Sequence, residues 1–473
     1  MHPSIGPSIG PSIGPSIGPS IGPSIGPSIG IDFGTTNSSV AIATPGAPVT
    51  LLQFPTPTTP TESFRSVLYL EQTRRGIESH TGPQAIQAYL EAESPGRLIQ
   101  SLKSYLPSRS LTGTEVFGRR YTLEDLIARI LTDLRKAIEA QLGTPIPPGI
   151  PITAGRPVRF VSAETDEDDA YATERLRAAF AQASLPNIHF ELEPIAAAYA
   201  YESTLTRDET ILIGDFGGGT SDFSLLEVGP THAAQPTRKI LGNSGLGLAG
   251  DAFDARIVRK LVSPALGADT LEKTYANPFA PKTPKRFPNR AAPLPPPREF
   301  KIIPAVPAWI YANLERWHYL SFLKTRNVTE ILKATRARAE DPEKVALLIT
   351  LIEHDLGYQL HQAVQRLKID LSHNETATFR FPELDQALTT PVTRADFEQW
   401  IAPDLQSIET CVDTLLADTH TPPEKIDRVF LTGGTSFVPA VRRIFATRFT
   451  PEKLATGNEF TSVARGLALR NTT

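Results

Sequence analysis

Sulfur is nearly missing from this chain: 473 residues include one cysteine and one methionine. A single cysteine, Cys411, excludes an internal disulfide and a thiolate metal cage. Its setting, SIETCVDTLL, reads as a helix carrying a buried, inert thiol rather than a reactive one. An excess of one charge is missing too. Lys and Arg number 47 against 51 Asp and Glu, a formal net charge of −4, and the signs are mixed along the chain. Neither a nucleic-acid footprint nor a polybasic membrane patch is expected. No apolar run approaches the roughly 18–20 residues needed to cross a bilayer. A soluble, reducing, cytoplasmic location and a monomer are expected. The nine histidines show no metal-ligand spacing. His354 and His361, seven apart on one possible helix, read as a satisfied or solvated pair rather than a zinc site.

Proline and glycine, in contrast, crowd the start. Residues 3–30 are seven tandem copies of PSIG. Proline at every fourth position blocks helix and interior strand, and glycine adds chain entropy. Residues 1–26 therefore read as disordered. With no basic start and no continuous apolar stretch, they do not read as a signal peptide. The last copy runs on as SIGIDFG, which places Ile29 and Gly30 in a strand.

From residue 27 onward, strand and helix signals alternate, which implies an α/β fold with mixed sheets. VTLLQF (49–54), RSVLYL (65–70) and PVRFVSA (157–163) read as strands. Residues 121–142 carry a helical apolar stripe, with Thr122 and Asp125 resembling a capping box. A helix from Thr165 begins with Asp166, Glu167, Asp168 and Asp169. These acids suit the positive end of the helix dipole, with a metal site as the sharper alternative. HFELEPIAAAYAYES (189–203) is a strand leading into a helix, and helices are expected at 249–262 and 357–372. The helix starting near Thr393 is expected to break at Pro403. Residues 27–209 read as one lobe and 210–450 as a second, with 451–473 returning as a helix to the first. A Pro-rich and aromatic insertion at about 263–350 reads as a helical subdomain with its own small core. Its segment PAWIYANLERWHYLSFL is a candidate partner or peptide surface.

IDFGTTNSSV (31–40) and GDFGGGTSDF (214–223) carry the same pattern, an aspartate at a strand end followed by a turn of small residues. Such turns aim several backbone N–H groups one way and let an anion approach closely. Gly34, Thr35, Thr36 and Asn37 form the first turn. Gly217, Gly218, Gly219 and Thr220 form the second. Asp32 and Asp215 could each merely cap a turn. As a pair from two lobes, they suit the waters of a Mg²⁺ ion that accompanies a phosphate chain. LTGGTSF (431–437) and GLGLAGDAF (245–253) are further small-residue turns ahead of helices, a setting that suits anionic ligands.

Taken together, IGIDFGTTNSSVAI, ELEPIAAAYAYES, LIGDFGGGTSDFSLLEV and VFLTGGTSFVPAVRRIF resemble the nucleotide-binding domain of the Hsp70 family, in order and spacing. The resemblance implies the actin/hexokinase-like ATPase fold, two lobes with duplicated mixed sheets around a cleft for ATP or ADP with Mg²⁺. It implies contacts to phosphate from Thr35 and Thr36, and contacts to metal-bound water from Asp32, Asp215, Thr220 and Asp222. Lys103 in LIQSLKSYL reads by itself as a surface residue on an amphipathic helix; the resemblance makes it the lysine that reaches the γ-phosphate. Glu193 matches the catalytic glutamate. Gly250, Lys368, Ser372, Gly433 and Gly434 match the adenosine site. Two positions depart from the pattern: Phe437 stands where an arginine stacks on adenine, and Gln365 where a glutamate binds ribose. No leucine-rich linker or peptide-binding domain follows, so a short Hsp70-like ATPase is expected. The insertion should project from the second lobe, where a protein client or exchange factor could dock. A polymerising actin-like scaffold and a small-molecule kinase are the alternative functions.

Overall fold

The computed structural model describes residues 26–470, apart from 57–58, 93–95, 203–204, 234–238, 276–299, 317–318, 320–322, 385–387 and 456–461. The expectation of disorder at 1–26 falls almost wholly outside the described residues.

Each lobe is built on a sheet of one plan. In the first, Ser28–Phe33 is central. It runs antiparallel to Asn37–Ala43 on one side and parallel to Ile152–Arg156, then Ile188–Leu192, on the other. In the second, Glu209–Phe216 is central. It runs antiparallel to Ser221–Val228 and parallel to Arg428–Thr432, then Leu454–Ala455. The repeated hairpins are thus equivalent by topology, and Asp32 and Asp215 are each the last-but-one residue of a central strand.

Two helices lie between the sheets. Ser462–Leu469 presses Ala464 and Ala468 against Ala41 and Ala43 of the first sheet. Glu193–Glu202 presses Ile195, Ala196 and Tyr199 against Ile211, Ile213 and Leu226 of the second. Glycine permits the close approach. A Cβ on Gly30 would lie 2.3 Å from the Ala464 carbonyl oxygen, and one on Gly466 would lie 1.6 Å from that of Ala196. The last PSIG copy therefore belongs to the fold: Ser28 Oγ donates to the Ala468 carbonyl at 2.6 Å, and Ile29 is fully buried.

The first lobe's core is closed by Leu123–Leu142 and Asp166–Gln182. Both helices begin with capping boxes, Thr122 with Asp125 and Thr165 with Asp168. Three of the four acids crowding the second helix start have protein partners. Asp166 pairs with Arg159, Asp168 caps Thr165, and Asp169 takes Arg156 and the Phe160 N–H.

Several sequence expectations are corrected. The strand expected at 157–163 lies earlier, at Ile152–Arg156. That strand lies beside the central one with helices against it, so its small residues fit and the bulkier PVRFV would not. Pro157, Phe160 and Val161 instead form a wall of the interlobe cleft. VTLLQF contributes only Thr50–Leu51 and an isolated bridge at Phe54. Arg394–Asp418 continues unbroken through Pro403. Phe397 and Ile401 before the proline, and Ile408, Val412 and Leu415 after it, bury one stripe and outweigh its cost of about 3 kcal/mol. His354 follows the helix Pro342–Glu353 and His361 lies within Gly357–His373, so they do not share a helix. Among the described residues the insertion shows no separate core. Val306, Ile310, Leu314, Val328 and Leu332 join the second lobe's core with Phe253 and Ile257. It also reaches the first lobe, where Tyr319 hydrogen-bonds Tyr105.

Candidate functional site

A cavity of about 530 Å³ opens between the lobes. Both hairpins face it. The first turns tightly: a Cβ on Gly34 would lie 2.1 Å from the Asn37 carbonyl oxygen. The second is closed by Gly217 N–H donating to the Thr220 carbonyl at 2.8 Å. The turns approach each other so closely that a Cβ on Gly218 would lie 2.1 Å from Thr36 Oγ1. Asp32 and Asp215 consequently line one cavity, together with Gly34, Thr35, Thr36, Asn37, Gly217, Gly218 and Thr220.

Lys103 and Glu193 meet in the same place. Their ion pair spans 2.7 Å, with side chains only 7% and 11% exposed. The amphipathic-helix reading of Lys103 is corrected: it stands in the short 3₁₀ turn Leu102–Tyr105, after Ser101 at φ +54°. Glu193 opens the helix that leaves the strand Ile188–Leu192. Gly155 leaves it room, because a Cβ there would lie 3.0 Å from Glu193 Cγ.

The carboxylates are crowded. Burial holds the Asp32 carboxyl well above its usual range, Glu193 and Asp215 push it further, and Lys103 opposes them. Burial and then Glu193 raise Asp215 to about 6, against a hydrogen bond from Thr432 and the charge of Lys103. Asp222 is raised by burial, Glu193 and Asp215. This end of the cleft is short of positive charge. No group of three or more acidic, histidine or cysteine side chains among the described residues forms a direct metal cage. The donor set therefore fits a hydrated divalent cation held through water and phosphate better than a stripped one.

Asp215 couples the stability of the fold to pH. Its folded pKa lies above the ordinary 3.8. The stability it contributes is full below that value and is lost as pH rises through about 6, on the order of 3 kcal/mol. The urea midpoint of nucleotide-free protein should fall as pH rises from about 4 to about 7, with most of the fall complete by about pH 6. Asp215→Asn should show a smaller fall; an equal fall in the variant would reject this assignment.

The other end of the cleft is lined by Gly250, Gln365, Lys368, Ser372, Gly433, Gly434 and Phe437. Lys368 Nζ is held by Asp254 at 2.6 Å and by the Gly250 carbonyl at 3.2 Å, and Ser372 Oγ donates to the Lys368 carbonyl. Gly433 has φ +81°, and a Cβ there would lie 1.9 Å from the Phe216 carbonyl oxygen. Phe437 is 43% exposed and Ile369 56%, so this end offers apolar surface to a planar group. Gly219 and Asp222 do not line the cavity. Asp222 is the strand partner of Asp215 and lies buried behind it.

Sequence reasoning missed Thr432, Asp251, Arg65 and Ile369. Thr432 could have been found: it ends the strand before the third glycine turn, beside Asp215 in register. Arg65 reaches the cleft through strand pairing with Asn37 that no local pattern encodes, and Asp251 through its N–H bond to the Gly218 carbonyl.

Residues 107–273 and 352–472, more than half of the chain, match the family model described as Hsp70 protein. The chain belongs to the Hsp70 family. Its mixed α/β architecture is the actin-like ATPase fold of that family, with two lobes around a cleft, as the sequence led us to expect. The unmatched stretch between the two segments falls in the insertion. The chain is 26% identical over 466 aligned residues to the chaperone protein DnaK of one strain of Thermus thermophilus, and likewise to that of a second strain of the same species. Each alignment covers 93% of this chain and 60% of the relative, so the chain spans about 60% of the length of the curated relatives it matches. No helix among the described residues is long and apolar enough to cross a membrane.

Proposed function

We propose that this chain binds ATP and ADP with Mg²⁺ between its lobes and slowly hydrolyses ATP to ADP and phosphate, acting as a nucleotide-switched, chaperone-like or regulatory protein. The observation that carries the reading is the meeting of Thr36 and Gly218, which brings Asp32 and Asp215 to one cavity beside the Lys103–Glu193 pair. Backbone N–H groups of the two turns, with Thr35, Thr36 and Thr220, hold the phosphates. Asp32 and Asp215 would hold the waters of Mg²⁺, which when bound neutralises phosphate charge, and Asp222 would act on them from behind Asp215. Glu193 orients the attacking water and takes its proton. The oxygen–γ-phosphorus bond forms as the bridge to the β-phosphate breaks, and ADP leaves with the electron pair. Lys103 stabilises the charge that gathers on the transferring group. Adenosine lies along Gly250, Gln365, Lys368, Ser372, Gly433 and Gly434, with Phe437 stacking on the base.

Nucleotide at the junction of the lobes would bias their closure, the element a partner could read. A protein client or exchange factor at 263–350 is part of this proposal, with Trp309, 46% exposed, as the most exposed large apolar side chain among the described residues there. Calorimetry of ADP and ATP binding, joined to phosphate release under Mg²⁺, tests the reading. Binding with slow release of phosphate is expected. Binding without release would favour the scaffold, and absence of binding would end the nucleotide reading.

A further inference from the structure

Three described cations other than histidine line the cleft: Arg65, Lys103 and Lys368. The two lysines are already committed, at 2.7 Å to Glu193 and 2.6 Å to Asp254. Arg65 is different. Among the described residues its guanidinium makes one hydrogen bond, a long one from Nη1 to Asn37 Oδ1 at 3.4 Å, which leaves most of its five N–H donors without a protein partner there. Among the described residues no carboxylate pairs with it within 4.0 Å, although its charge is felt by Asp251 and Asp254 across the cleft.

The backbone fixes where that guanidinium emerges. Arg65 is the strand partner of Asn37, in the first small-residue turn. The next residue, Ser66, donates its N–H to the Thr36 carbonyl at 2.9 Å, and its hydroxyl meets that of Ser38 at 2.8 Å. Arg65 thus leaves the sheet one residue from an anchor on the turn whose threonines face the cavity. Asp251 stands opposite, its Oδ1 3.5 Å from where a Cβ on Gly218 would lie. A rigid base, a planar fork of donors and an unpaired charge beside an anion-accepting turn suit a phosphate oxygen pair.

We infer that Arg65 is a phosphate-binding residue, gripping the phosphate chain of the bound nucleotide from the first lobe. The inference rests on the nucleotide reading above and adds a contact to it. Arg65 holds the ligand in line without entering the bond-making step, so it is a positioning residue.

The test is calorimetry of ADP and of adenosine, with Mg²⁺, on wild type, Arg65→Ala and Arg65→Lys. Losing a charge-assisted hydrogen bond should weaken ADP binding about 10- to 100-fold in Arg65→Ala. Adenosine, which has no phosphate, should bind all variants alike, and Arg65→Lys should recover part of the loss as a point charge. The inference is overturned if Arg65→Ala binds ADP within twofold of wild type, or if adenosine weakens as much as ADP. Wild type that binds neither ligand at millimolar concentration would overturn the nucleotide reading itself, a different result from intact ADP binding in the variant. Should Arg65→Ala not fold, Arg65→Gln keeps the stem and supplies the comparison.

Discussion

Under the proposed reading, Glu193→Gln should lower phosphate release from ATP by about a hundredfold or more while leaving ATP bound. A positioned general base contributes ~10²–10⁴ to rate, and glutamine keeps the shape and the contact with Lys103 while losing the basic oxygen. Lys103→Ala should act differently. It also stops turnover, but it leaves Glu193 buried beside Asp32, Asp215 and Asp222, whose charged forms Lys103 favours. Breaking one side of a buried pair costs about 3–5 kcal/mol, so the nucleotide-free variant should melt well below wild type. Single-turnover phosphate release and thermal melting on the same samples separate the two effects. If the pair were only structural, Glu193→Gln would turn over ATP like wild type.

Gly466→Val should prevent the lobes from assembling. The added Cβ would lie 1.6 Å from the Ala196 carbonyl oxygen, a backbone atom in the partner helix. No rotamer relieves such a contact. Retreat of the Ser462–Leu469 helix is blocked on its other side, where Gly30 meets Ala464 and Ala468. Overpacking of this kind costs about 3 kcal/mol or more, and here it falls on the layer joining both sheets. The variant should be recovered largely insoluble or with a strongly lowered melting temperature. Gly247→Ala, where a Cβ meets nothing within 4 Å, is the matched control and should melt close to wild type. Soluble, normally melting Gly466→Val protein would contradict the helix sandwich.

What could be read from the sequence follows from which forces are local. The two hairpins, the capped helices at Thr122 and Thr165 and the glycine turn at 433 are written in adjacent residues, and they appear where expected. The candidate site was legible to the extent that motifs carry it: all the proposed residues except Gly219 and Asp222 line the cleft. Lys103 was the exception in kind, because a four-residue 3₁₀ turn has no periodicity to announce that its lysine is buried. The strand Ile152–Arg156 was missed because burial beside a central strand selects small residues that look weak in isolation. The insertion was misjudged because the apolar residues at 306–332 show that something must cover them, not what does. Pro403 was overruled by packing on both of its sides, and Arg65 became visible only when its strand was placed beside Asn37.

Under the proposed function one hydrated cation is shared by carboxylates from opposite lobes. ADP binding, measured by calorimetry with and without Mg²⁺ in wild type, Asp32→Asn, Asp215→Asn and the double variant, tests this most directly. Mg²⁺ should tighten ADP binding in wild type, each single substitution should remove most of that gain, and the double variant should lose little more than either. Single variants that keep the full gain, or losses that simply add, would mean that the two aspartates do not serve the same ion.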